Sequence, residues 1–260
     1  MVILRDYKVA AFMALSAMFT LTGYEFIRSA STVLFKSAYG ADKLPLVMAA
    51  MPIVVFFGVW LYSRLLSVLG PQRTLLVTSL GSGLSILACY LILLTGVKWI
   101  TPVLFLLKEF YIVLLIEQYW SYINSSLSSK TAKQVNGPVT GIAGLGGAIG
   151  GTLVGATAGE YGAETMVLFA AIACLPAALV SNAGYVLFGE PEMPPRAATS
   201  DPMGWHLLKE NPTLAYLLGI VLTSQLVSAV LDYKFQGLLS VQFAGDPNAE
   251  TVANPGVKNH

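Results

Sequence analysis

Charge is what this chain has least of. Its 260 residues include 15 basic and 14 acidic side chains, 11% in all, while 55% are hydrophobic and the mean hydropathy is +0.69. Soluble domains carry about 25% charged residues, so this composition excludes an ordinary water-soluble globule. Cysteine is nearly missing too: Cys89 and Cys174 each sit inside an apolar run, with no ligand of matching spacing, which excludes a disulfide framework or a thiolate metal centre. The two histidines, His206 and His260, stand apart from any cysteine or carboxylate cluster, so no metal site is expected. No phosphate-binding glycine loop, dinucleotide fingerprint or Ser/His/Asp context occurs, which argues against an enzyme; no cofactor is expected. A net charge of +1 gives no basis for nucleic-acid binding.

What is present in abundance is long apolar sequence. A bilayer-spanning helix needs ~20 mostly apolar residues, because hydrocarbon offers no water to pair with backbone amides. Seven stretches qualify, at about residues 9–31, 44–62, 74–94, 101–123, 138–159, 166–187 and 213–231. The expected fold is therefore all-α: a polytopic membrane helix bundle, six spans in residues 1–188 plus a seventh in 213–243. Between them lies a connector, residues 189–212, marked by Pro191, Pro194, Pro195 and Pro202 with several charges, within which Met203 to Glu210 reads as a short interfacial helix. A polar tail, residues 244–260, closes the chain.

Loop charge sets an orientation. With the N-terminus cytoplasmic, the inner loops hold Arg5, Lys8, Arg64, Arg73, Lys130, Lys133, Arg196 and Lys209, and the outer loops hold Lys36, Lys43 and Lys98. The positive-inside rule favours that arrangement. The first apolar run is too long for a secretory signal and has no small-residue cleavage site at its end, so it is expected to remain in the membrane. The localisation expected is an integral protein of the inner membrane, if the source is bacterial.

The fifth stretch is poor in side chain. Gly147, Gly151, Gly155 and Gly159 recur every four residues, with Ala143 extending the row, a small-xxx-small pattern that lets a neighbouring backbone approach. Two readings follow from that ridge: static tight packing, or a surface on which helices slide.

Charges inside the runs are few enough to weigh individually. Glu25 and Arg28 are three apart, on one helix face, and within pairing reach; the couple is either structural or cavity-lining. The fourth stretch carries Lys108, Glu109 and Glu117. Glu109 and Glu117 differ by only ~80° around a helix, so both can face one cavity. Lys108 is expected near the outer interface, whereas Glu117 lies too deep to escape and is expected to face a polar interior. Tyr111, Gln118, Tyr119, Trp120, Tyr122 and Asn124 crowd the same region; Tyr119, Trp120 and Tyr122 read as an interfacial aromatic belt, or the group reads as a stacking surface for a flat substrate.

The stretches QYWSYIN at 118–124, KTAKQ at 130–134 and GIAGLGGAIGG at 141–151 resemble the fourth-to-fifth-span region of the ATP/ADP translocase family, nucleotide exchangers similar to the major facilitator superfamily. FIRSASTVLFKSAYGADKLP at 26–45 is similar to that family's first span and first loop, and LDYKFQ at 231–236 to the close of its seventh. The resemblance implies the N-terminal half of a bacterial member: a secondary transporter moving a small organic anion, including a nucleotide, by alternating access. It further implies that Arg28 and Lys108 meet the anionic groups, that Glu25 and Glu117 balance the charge of the empty site, and that Tyr119 and Asn124 line it. The implied partners are the lipid bilayer and a second transporter half or a second copy of the chain. The alternative class is a non-transporting membrane protein, or an inactive fragment of a transporter.

Overall fold

In the computed structural model, residues 2–127, 129–189 and 210–242 are described. They form five long helices: α1 (Val2–Tyr39), α2 (Leu44–Leu93), α3 (Ile100–Ser126), α4 (Ser129–Phe188) and α5 (Pro212–Gln242), with a short 3-10 turn at Ala41–Lys43 between the first two. Among the described residues there is no strand, as the apolar runs led one to expect. Three stretches, Arg5–Tyr39, Ala41–Leu93 and Lys130–Phe188, are long and apolar enough to cross a bilayer. Residues 190–209 of the expected connector, with its interfacial helix, and the tail at 244–260 lie outside the described residues.

Helices α1 to α4 belong to one compact unit and α5 to another. In α5 the start is set locally: the Asn211 side-chain oxygen accepts from the Thr213 amide at 3.1 Å, and Pro212 occupies the first turn, where its missing N–H is not needed. Its outward residues include Tyr216, Ile220, Leu231 and Phe235.

Two of the long helices cannot be straight rods. On α2, Gly58 packs under the Phe110 ring and Thr78 reaches Gln118 of α3 at 3.2 Å. Those anchors are twenty residues apart on α2, about 30 Å of helix, yet only eight apart on α3, about 12 Å. The chain turns back between them, at Gly70, whose φ of 76° and ψ of 171° interrupt the helix. The same holds in α4, where Gly150 meets Thr22 and Gly184 meets Phe12 of α1: about 51 Å of chain against about 15 Å. Here the break is Gly162, at φ 80° and ψ 165°. Such dihedrals are essentially restricted to glycine, because a Cβ would collide with the neighbouring carbonyl. Pro71 then begins the second arm of α2 with φ already fixed for helix.

Helix α1 is central. Its Ser16 and Thr20 face α3, its Gly23 and Phe26 face the second arm of α4, and its Met18, Thr22 and Glu25 face the first arm of α4. Near its end, Phe35 joins Leu44, Val47 and Phe105 in a small separate cluster. The main core is built from Met13, Ile27, Leu104, Leu115 and Met166, all fully or almost fully buried.

Candidate functional site

The α1–α4 seam is built on close backbone approach. A Cβ at Gly146 would overlap the Met18 carbonyl, and one at Gly150 would come 2.8 Å from the Thr22 carbonyl oxygen and 2.9 Å from the Glu25 Cβ. The Thr22 hydroxyl donates to the Gly146 carbonyl at 3.0 Å across the same seam. The row expected to do this, Gly147, Gly151, Gly155 and Gly159, is elsewhere: no atom lies within 4 Å of a Cβ built at any of them. The contact face is shifted by one residue because Val139, Ala143, Gly146 and Gly150 follow the three-four alternation of a packed helix, whereas a strict four-residue step drifts around the surface.

Because Gly150 admits it so closely, Glu25 stands at the edge of this seam and pairs with Arg28 at 2.8 Å, with a second bond from Nε at 3.1 Å. The Arg28 side chain is 53% exposed, on the flank of α1 that α3 and both arms of α4 leave open. Thr32, one turn on, donates back to the Arg28 carbonyl.

Lys108 is not at the interface as expected. It is 5% exposed, with its ammonium 3.7 Å from the centroid of the Phe105 ring and 3.6 Å from Glu109. The cation faces the ring's negative quadrupole on one side and a carboxylate on the other. Interpolating between the Ser16–Tyr119 and Phe35–Phe105 contacts puts Arg28 and Lys108 within about one helical turn of the same depth. Arg28 has an ion pair with Glu25 and Lys108 one with Glu109, each an acid of the same helix, at nearly the same level.

Glu117 lies about 12 Å further along α3 than Glu109. It is exposed. The four residues Glu25, Arg28, Lys108 and Glu117 therefore do not meet at a point. They occupy the open flank of α1, the buried face of α3 and the outer face of α3 in turn.

Tyr119 corrects both of its expected roles. It is neither in a belt nor on an open stacking surface but 2% exposed in the core, its hydroxyl 2.9 Å from Ser16 Oγ and 3.0 Å from Thr20 Oγ1. Ser16 also donates to the Ala177 carbonyl at 2.6 Å, and Tyr111 donates to the Thr20 carbonyl at 3.1 Å, so one polar network rivets α1, α3 and α4. A second rivet joins Thr78 and Gln118. Tyr122 packs against Tyr185 with the rings tilted by 56° and their centroids 4.1 Å apart, and donates to the Gly189 carbonyl. Asn124 belongs to α3, but its side chain lies outside the described residues. Ser16, Thr20 and Thr78 escaped the reading of the sequence, although a hydroxyl four residues from another in an apolar run, as Ser16 and Thr20 are, was the available signal.

No protein-family model, no curated protein and no solved structure matches this chain. The residues themselves must carry the functional argument. A guanidinium exposed on the flank of a central apolar helix, with a buried ammonium at the same depth and a carboxylate beside each, is a set of charges suited to meeting an anion and to closing on itself when none is there.

Proposed function

We propose that this chain is one lobe of a facilitator-type secondary transporter whose cargo is a small organic anion, a nucleotide being the first to test. The two arms of α2 and of α4 are read as separate crossings, which with α1 and α3 make six, and α5 is read as a seventh. Two things support the crossing count: the reversals at Gly70 and Gly162, and the distribution of basic residues. Arg5, Lys8, Arg64, Arg73, Lys130 and Lys133 fall toward one end of the bundle and Lys36, Lys43 and Lys98 toward the other, so the richer end is read as cytoplasmic.

The single observation that carries the transport reading is Arg28. Placed against lipid inside a span, an arginine costs up to about 2.5–3.5 kcal/mol on insertion scales, the full figure applying at the helix centre. A side chain left half exposed there is sensible if its flank borders water and a second lobe, as in carriers that bind cargo at midplane between two helical halves. In this reading an incoming phosphate or carboxylate competes with Glu25 for Arg28, and Lys108 adds positive potential from within the lobe. The resemblance of residues 26–45, 118–124, 130–134 and 141–151 to the ATP/ADP translocase family points to the same class of cargo.

Equilibrium binding of radiolabelled ATP to the purified full chain in detergent tests this. Saturable binding displaced by ADP but not by uncharged adenosine is expected, weakened at least about tenfold in Arg28→Ala, the loss of one charge-assisted contact. Folded wild-type protein that binds no nucleotide, or binds it equally well after the substitution, overturns the nucleotide assignment.

A further inference from the structure

The first arm of α2 carries a feature that the transport reading does not use. From Leu44 to Ser63 the sequence holds twenty residues without one charge, bounded by Lys43 and Arg64. At ~1.5 Å per residue these two cations are about 31 Å apart along the helix, the thickness of a bilayer's hydrocarbon core. Only 17% of the most apolar window in Ala41–Leu93 is buried, and Ile53, Phe56, Phe57 and Trp60 stand more than half exposed, so this arm is a lipid-facing wall.

At its lower edge the wall changes character. The Arg64 guanidinium lies over the Trp60 ring, 5.2 Å from its centroid, and the helix then reverses at Gly70 and presents Arg73, also exposed, on the next arm. Residues 64–73 contain two arginines, Ser67 and no acid. An indole at headgroup level, a guanidinium preorganised against it and a second guanidinium across a tight turn match the chemistry of a phosphodiester: planar donors for the phosphate oxygens, with apolar side chains above for the acyl tails. We infer that this corner binds the headgroup of an anionic phospholipid in the leaflet on the N-terminal side. The partner is the lipid itself, attracted by the two arginines and held because its tails lie along the wall above them.

The inference depends on membrane embedding and not on cargo, so it survives a failed nucleotide-binding experiment. It is tested with the full chain carrying Trp60 as sole tryptophan, the other three replaced by phenylalanine, reconstituted in equimolar phosphatidylglycerol and phosphatidylcholine. One or the other lipid is brominated on its acyl chain, and quenching of Trp60 reports which is nearer. Phosphatidylglycerol is expected to be enriched at Trp60 by about fivefold per arginine. Arg64→Gln with Arg73→Gln should abolish the preference, and Lys98→Gln at the opposite end should leave it intact. Equal quenching by the two lipids, a preference that persists without both arginines, or one lost with Lys98 would overturn the assignment. So would its removal by millimolar inorganic phosphate, which would make the site one for a free anion. Should the double variant fold poorly, Arg64→Lys retains charge while losing the planar stack, and is expected to keep part of the preference.

Discussion

Gly146 of α4 lies directly on the Met18 carbonyl of α1, with no room for a Cβ between them. The obstruction is backbone, which cannot swing aside as a side chain would. Gly146→Ala should therefore destabilise the bundle by ~1–3 kcal/mol through overpacking. Gly147→Ala, one residue away with open space around it, should be within ~0.5 kcal/mol of wild type or slightly stabilising, since alanine is the better helix former. Thermal unfolding of both variants in the same detergent decides it. Equal effects would mean that the α1–α4 seam is not where the structure puts it.

That pair also marks the limit of what the sequence disclosed. Among the described residues, apolar length marked the five long helices, and the ends of the expected stretches at 62 and 74, and at 159 and 166, bracket the interruptions at Gly70 and Gly162. The Glu25–Arg28 pair followed from spacing alone, because both ends of the contact lie on one helix. The contact register of α4 did not follow, because residues 141–151 carry glycine at several phases and composition cannot say which one meets a neighbour. Lys108 was misplaced for a related reason: its burial depends on Phe105 folding over it and on α3 turning that face inward, neither of which is local. Tyr119 looked like a membrane-interface tyrosine until Ser16 and Thr20 supplied partners from more than ninety residues away.

Removing the Tyr119 hydroxyl should be felt as a structural loss. Tyr119→Phe leaves Ser16 bonded to the Ala177 carbonyl, Thr20 to the Ser16 carbonyl and Tyr111 to the Thr20 carbonyl, so only the Tyr119 bridge from α3 disappears. Hydrogen bonds between membrane helices average ~0.6 kcal/mol and reach ~1.7. A destabilisation in that range is expected, with nucleotide binding otherwise retained, as read by thermal unfolding beside the binding assay. Loss of binding at full stability would move Tyr119 into the cargo site.

The two reversals should depend strongly on glycine. Gly70 and Gly162 hold dihedrals that cost a side-chain-bearing residue of order 1–3 kcal/mol. Gly70→Ala and Gly162→Ala should each lower stability by about that amount, whereas Gly155→Ala, inside a helical arm with open space beside it, should not. Limited proteolysis in membranes provides a second readout, with faster cleavage near residue 70 or 162 expected in the respective variant. Wild-type protection in both would show that the chain tolerates another geometry at these turns.

The arrangement of charges can be probed one position at a time because the native thiols are silent. Cys174 is 0% exposed and Cys89 5%, so the wild-type chain in vesicles should resist a water-soluble, membrane-impermeant maleimide. Arg28→Cys places a thiol on the open flank of α1, and its reaction requires water to reach that depth. Lys108→Cys, at nearly the same depth but beneath Phe105, should react at least about tenfold more slowly, because only the buried face of α3 presents it. Glu117→Cys discriminates further: labelling there would mean that water reaches the exposed face of α3, and protection by added nucleotide at Arg28→Cys but not at Glu117→Cys would place the cargo on α1. Equal rates at Arg28→Cys and Lys108→Cys would contradict the burial of Lys108. Protection of all three thiols from the reagent would mean that no aqueous crevice reaches this depth, and the reading of Arg28 as a cargo-facing cation would fall with it.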